Sequence, residues 1–233
     1  MPTPSSNARA VIFDLDGTLV DSNRDLVPTL NRVVAIDGVP PTSLEDVGHI
    51  VGQGAMAMIA RAFALHGVPL EHARHKELLA LYLNDYERHL ANETVFFDGA
   101  LEALDLLAAD GWQLHVCTNK YEHLARKLLN ALGESARFGT ITGGDTFAVK
   151  KPDPGHLIET ARLANVDPSR CIMIGDSIND IAAAQAANMP VVAVTFGYSD
   201  VPVQTLGPDA IISHFSDLPA AIKAVSQADP RFS

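Results

Sequence analysis

Ala10-Val11-Ile12-Phe13 runs directly into Asp14-Leu15-Asp16-Gly17-Thr18-Leu19-Val20-Asp21-Ser22. The first four residues form an unbroken apolar run, the pattern of a strand buried on both faces of a parallel sheet. Similar runs recur at Gln113 to Cys117, Cys171 to Ile174, Val191 to Thr195 and Ala210 to Ile212. Between them the spacing predicts helices over Ala100 to Ala109, Glu122 to Leu132, His156 to Ala164, Ile178 to Ala187 and Leu218 to Val225. Strands alternating with helices imply right-handed crossovers and an α/β fold with a doubly wound parallel sheet.

One region breaks the alternation. From about Asn23 to Glu93 only helical spacing is found, as in Leu26, Leu30, Val33 and Val34 and again in Leu78, Leu79, Leu81, Tyr82 and Tyr86. This insertion leaves the chain after the first strand, at the carboxyl end of the sheet where open α/β folds bind ligands. The expected organisation is a core from 1-22 and 94-233 with a helical cap at 23-93. Its hinges are expected near Val20 to Asn23 and Glu93 to Phe97.

An apolar share of 47% across 233 residues is ample for a buried core. The net charge of -11 and pI near 5.1 disfavour nucleic acid and anionic membrane surfaces as partners. No stretch approaches the roughly 18 consecutive apolar residues of a membrane span, and Met1 to Arg9 reads as a frayed tail rather than a signal peptide. The expectation is a cytoplasmic protein, monomeric or homodimeric. Cys117 and Cys171 sit inside strand-like apolar runs and read as core residues rather than as a disulfide or catalytic thiols.

Asp14 and Asp16, one residue apart at a strand end, cannot both be buried without a cation, since desolvation costs several kcal/mol per ion. An acidic turn built on Gly17 is the bland alternative. Three further segments weigh against it. Thr118-Asn119-Lys120 follows the second strand and opens a helix whose free N–H groups favour an anion. Lys150-Lys151-Pro152-Asp153-Pro154 places cations on a loop that leads into another helix. Gly175-Asp176-Ser177-Ile178-Asn179-Asp180 adds two carboxylates one helical turn apart, oxygen ligands that suit Mg²⁺.

In this order the four segments resemble the motifs of the haloacid dehalogenase superfamily, and the resemblance runs from Val11 to about Ile222. Val51-Gly52-Gln53-Gly54-Ala55, Asp98-Gly99 and Thr195-Phe196-Gly197-Tyr198 look like the branch of bacterial phosphoglycolate phosphatases. The resemblance implies a Mg²⁺-dependent phosphatase that hydrolyses a small phosphomonoester, foremost 2-phosphoglycolate, through an aspartyl phosphate on Asp14. Asp16 is then the general acid and base, with its backbone carbonyl on the metal. Thr118, Asn119 and Lys151 hold the phosphoryl group. Asp14, Asp176 and Asp180 are metal ligands, Asp180 directly or through water, and Thr18 packs or hydrogen-bonds locally.

An acid beside the nucleophile suits phosphoryl transfer better than halide displacement, since a halide leaves without a proton. Two rivals remain: a phosphatase of the same branch acting on a sugar or amino-sugar phosphate, and a binding or regulatory protein that kept the fold without turnover. For a substrate carboxylate the candidate receptors are Arg24, Arg61 and the backbone of Gly52, Gln53 and Gly54, with Lys120 and Lys150 as further cations. Gly52-Gln53-Gly54-Ala55-Met56-Ala57 also fits a dinucleotide-binding string, but Leu44, Val47, Ile50 and Val51 ahead of it are spaced for a helix where that motif needs a strand. His72 and His75 alone are too few for a metal site in the cap.

Overall fold

The structure is a computed structural model that describes residues 8–232, with His49 described by its backbone alone. Residues 1–7 of the expected tail lie outside the described residues. Strand β1 (Ala10–Phe13) turns into the short β2 (Val20–Asp21), followed by helices α1 (Asn23–Val34), α2 (Leu44–Val47), α3 (Ala55–Leu65) and α4 (His72–His89). After β3 (Val95–Phe96) come α5 (Ala100–Ala109), β4 (Gln113–Cys117), α6 (Glu122–Ala131), β5 (Thr140–Thr142) and α7 (Pro154–Leu163). The chain closes with β6 (Cys171–Gly175), α8 (Ile178–Ala186), β7 (Val191–Val194), β8 (Ala210–Ile212) and α9 (Leu218–Ala228).

The main sheet has six strands in the order β5-β4-β1-β6-β7-β8, and every neighbouring pair is parallel. β1 lies between β4 and β6, where the winding reverses, so the carboxyl end of β1 opens onto the switch-point crevice. The apolar run of β1 divides by the strand period of two. Val11 and Phe13 belong to one core with Leu104, Leu128 and Phe215, whereas Ala10 and Ile12 belong to another with Leu157, Ala161 and Ile181. Fully burying such an aliphatic or aromatic side chain contributes about 1.5–3 kcal/mol.

Three strands carry no apolar run in the sequence. β5 is the edge strand Thr140–Thr142, and Thr142 Oγ1 donates to the Val116 carbonyl at 3.2 Å. β2 and β3 pair antiparallel, Val20 opposite Phe96 and Asp21 opposite Val95, which ties together the two crossings into and out of the insertion. Asp25 reinforces the tie: its carboxylate accepts from the amides of Glu93 and Thr94 and from Thr94 Oγ1, the last at 2.7 Å.

Within the insertion, α1, α3 and α4 pack on one another. α1 buries Leu26, Leu30, Val33 and Val34 as its spacing predicts. α4 buries Leu78, Tyr82 and Tyr86, while Leu81 is turned outward, so its stripe has a strict four-residue step. Ahead of Gly52 stand α2 and a 3-10 turn over Gly48–Gln53, with no strand, so the local context of a dinucleotide loop is missing there.

Candidate active site

Four strand ends converge beside Asp14. The Asp14 amide donates to the Ile174 carbonyl at 2.9 Å, holding the first residue past β1 against β6. The loop then curls tightly: the amides of Leu19 and Val20 both donate to the Leu15 carbonyl. Gly17 sits at φ +84°, and a Cβ there would stand 2.6 Å from Asp176 Oδ2, so the turn requires both its backbone freedom and its lack of a side chain. Beyond β6, Gly175 has the same tightness, since a Cβ would lie 2.3 Å from the Asp180 Cβ.

Asp176 and Asp180 are locked from several sides. Asp176 accepts from Thr18 Oγ1 at 2.9 Å and from the Tyr198 amide at 2.7 Å. Asp180, in the first turn of α8, accepts at Oδ2 from the Ser177 amide and hydroxyl. Its Oδ1 accepts from Lys151 Nζ at 2.6 Å. Lys151 Nζ also lies 2.9 Å from Asp14 Oδ1. That approach is too poorly aligned for a hydrogen bond, so Asp14 Oδ1 is a buried oxygen without a hydrogen-bond partner.

The carboxylates of Asp14, Asp176 and Asp180 offer oxygens within 4.8 Å of one another, and all three residues are buried. Against them stands one buried ammonium, that of Lys151. Two like charges about 4 Å apart repel by about 4 kcal/mol at an effective dielectric of about 20, so the cluster as it stands is short of positive charge. The proton affinities carry the same signature. Burial, opposed by Lys151, pushes the Asp14 carboxyl up to about 6. Burial and then the carboxylates of Asp180 and Asp14 raise Asp176 well above its ordinary range. Burial works against the charge of Lys151, but Asp14 and Asp180 outweigh it and hold the ammonium on. A divalent cation among these oxygens would do what protonation otherwise must, so the residues present fit Mg²⁺.

The cleft facing this cluster is lined by Asp14, Asp16, Gly52, Thr118, Asn119 and Lys151, among others. Thr118 is anchored by its amide on the Thr142 carbonyl, and its Oγ1 accepts from the Lys120 amide. Asn119 donates through Nδ2 to the carbonyls of Lys151 and Gly52, at 3.0 and 3.3 Å. The Gly52 carbonyl also accepts from Asn179 Nδ2 at 3.1 Å, so the insertion rests on the core through one backbone oxygen. His156, whose Nδ1 accepts from the Lys151 amide, is kept neutral by burial and the nearby ammonium, down to about 4.

Gln53 and Gly54 line a second, larger chamber that shares Asp16, Asn119 and Lys120 with the cleft and is otherwise walled by residues such as Leu26, Met58, Leu79 and Tyr86. Arg24 points outward and pairs with Asp21 at 2.8 Å, and Arg61 is exposed; neither lines the cleft or the chamber. Lys120 is the contact that motif spacing did not show. Its Nζ grips both carboxylate oxygens of Asp16, at 3.0 and 2.9 Å. Tyr198, seen in the sequence only as part of a resembling string, supplies an amide to Asp176 and a hydroxyl to Asp21. Cys117 and Cys171 are buried, unpaired thiols, pushed up by burial to about 11 and about 12.

The sequence pattern of haloacid dehalogenase-like hydrolases matches residues 11–194. The phosphoglycolate phosphatase of Agrobacterium fabrum is 47% identical over 211 residues, 91% of each chain. That of Caulobacter vibrioides is 41% identical over 215 residues, covering 92% of this chain and 91% of its own. A crystal structure described as a predicted phosphoglycolate phosphatase from Haemophilus somnus superimposes with a TM-score of 0.86 at 29% identity, over 93% of this chain and 98% of that one. With the parallel sheet, the reversal at β1 and the cluster at its end, these likenesses make the chain a member of the haloacid dehalogenase-like hydrolase family.

Proposed function

We propose that the protein is a Mg²⁺-dependent phosphatase that converts 2-phosphoglycolate to glycolate and phosphate through an aspartyl phosphate on Asp14. The observation that carries the reading is the buried triad of Asp14, Asp176 and Asp180 around Lys151, with a second carboxyl, Asp16, at the mouth of the same cleft. The relatives named phosphoglycolate phosphatase support the substrate. Mg²⁺ would be held by the side chains of Asp14, Asp176 and Asp180, the last directly or through water, and by the Asp16 carbonyl. When bound it supplies positive charge to the phosphoryl oxygens and the nucleophile.

The remaining work falls to the chain itself. An Asp14 oxygen attacks phosphorus and the ester P–O bond breaks, while Asp16 gives its proton to the departing alkoxide. Asp16 then takes a proton from the water that attacks phosphorus and frees Asp14. Lys151 neutralises charge on Asp14 and on the phosphoryl group, and Thr118 and Asn119 orient its oxygens. The insertion from 23 to 93 acts as the cap on the core of 1-22 and 94-233, and closure against Asn119 and Asn179 through Gly52 excludes water.

The larger chamber carries the cations Lys120 and Lys150 among its lining residues, which suits a leaving group that bears a carboxylate. Among the described residues no helix is long and apolar enough to cross a membrane. The test is phosphate release from a panel of small phosphomonoesters with and without Mg²⁺, combined with acid-quench labelling. Mg²⁺-dependent release with label on Asp14 is expected; label on another residue, or inactivity across the panel, overturns the reading.

A further inference from the structure

The geometry points to Lys120, backed by Tyr86, as the receptor for the carboxylate of the substrate's organic part, taking it up by exchange with Asp16; this rests on the function proposed above. Lys120 and Asp16 form an ion pair whose side chains are only 6% and 11% exposed. Both residues line the catalytic cleft and the larger chamber, so the pair stands in the wall between them. The ammonium also lies 4.5 Å from the centroid of the Tyr86 ring, within cation–π range. The Tyr86 hydroxyl is buried without a hydrogen-bond partner, and burial raises its pKa well above the ordinary value, so it stays a donor. Lys120 and Tyr86 both line the chamber, and a cation shielded from water with an aromatic ring behind it holds an exchanging carboxylate strongly.

The chemistry of the ester sets the distance. In 2-phosphoglycolate a single methylene separates the ester oxygen from the carboxylate. A cation in contact with the acid that protonates that oxygen is therefore one short step from the carboxylate. The other cation lining the chamber, Lys150, is exposed to water, and Arg24 is engaged with Asp21 on the outside. When Lys120 turns to the substrate it lets go of both carboxylate oxygens of Asp16, so one substrate group both binds and uncovers that side chain. An ester without a carboxylate leaves Lys120 on Asp16.

The test compares 2-phosphoglycolate with 2-hydroxyethyl phosphate, an ester of similar size that lacks the carboxylate, in the wild type, Lys120→Met and Lys120→Arg. Any misplacement of Asp16 falls on both esters, so the ratio of their kcat/KM values reads the carboxylate's contact with Lys120 together with the release of Asp16 that it brings. Lys120→Met is expected to lower that ratio about 30-fold, the range of a charge-assisted hydrogen bond, with Lys120→Arg restoring much of it. Glycolate should inhibit the Met variant correspondingly less. An unchanged ratio in Lys120→Met, or a wild type with no preference for the acid, overturns the receptor. In either case Mg²⁺-dependent turnover of 2-hydroxyethyl phosphate leaves the phosphatase reading standing, whereas inactivity on both esters removes that reading as well.

Discussion

Thr18 Oγ1 donates to Asp176 Oδ1 at 2.9 Å across 158 positions of sequence, joining the loop after β1 to the loop after β6. Both side chains are buried, so the hydroxyl fixes which way the Asp176 carboxylate faces. With Mg²⁺ held as proposed, such support behind a ligand is worth about tenfold or more in metal affinity. Thr18→Val keeps the shape and removes the donor. We expect the Mg²⁺ concentration for half-maximal activity to rise about tenfold at nearly constant saturated rate; a metal titration of activity checks it.

Lys151→Met should have opposite effects with and without metal. Removing the ammonium leaves Asp14 and Asp180 buried without their cation, and breaking such a pair costs about 3–5 kcal/mol. Denaturant unfolding should show a loss of that order in EDTA and a larger stabilisation by Mg²⁺ than in the wild type. Turnover should stay low in both conditions, because the phosphoryl group has lost its cation.

The raised Asp14 carboxyl makes a pH prediction. Its pKa in the metal-free fold is about 6 against an ordinary 3.8, so between those values the folded chain holds a proton that the unfolded chain has released. This contribution to stability is complete at the acid end and is lost as pH rises through about 6. Mg²⁺ works against the same proton. Calorimetry in buffers of different ionisation enthalpy should show proton release on Mg²⁺ binding just below that pH, fading a full unit above it, with affinity falling as the pH is lowered.

Asp16→Asn should separate leaving groups. An aryl phosphate departs without a proton and an alkyl phosphate does not, so single-turnover transfer to Asp14 should fall by about 10²–10⁴-fold for the alkyl ester and much less for the aryl one. Equal losses would take Asp16 out of the acid role.

Asp25→Ala tests the clasp at the crossings. Asp25 satisfies the Glu93 and Thr94 amides and the Thr94 hydroxyl, and leaving the buried Thr94 donors without an acceptor costs about 1–3 kcal/mol each. Unfolding should shift by that order, and limited proteolysis should open the chain near Glu93 at a rate the wild type does not show.

The sheet and the acidic cluster were legible because their signals are local. Ala10–Phe13 must be buried on both faces, and Asp14, Asp16, Asp176 and Asp180 stand at strand ends or in the first turn of a helix. β5, a Thr-Ile-Thr edge strand, and the two-residue β2 and β3 had no run long enough to show a period. The contacts of the long charged side chains were illegible for a different reason. The grip of Lys120 on Asp16 spans 104 positions and depends on how a helix start packs against a turn. Arg24 and Arg61 were reasonable cations for an anionic substrate, yet a long side chain at the surface turns to water or to a nearby acid, as Arg24 does with Asp21.

The antiparallel pairing of Val20–Asp21 with Val95–Phe96 brings the entry and exit of the helical insertion to adjacent backbone positions. Everything from Asn23 to Thr94 is therefore spliced into the chain at one seam, much as a loop is closed by a hairpin. A short two-residue turn between Asp21 and Val95 could bridge that seam without moving β1, and a helical segment of another length could be grafted into it. The helical module is in this sense interchangeable, and the seam gives protein engineers a place to exchange it while the nucleophile loop stays where it is.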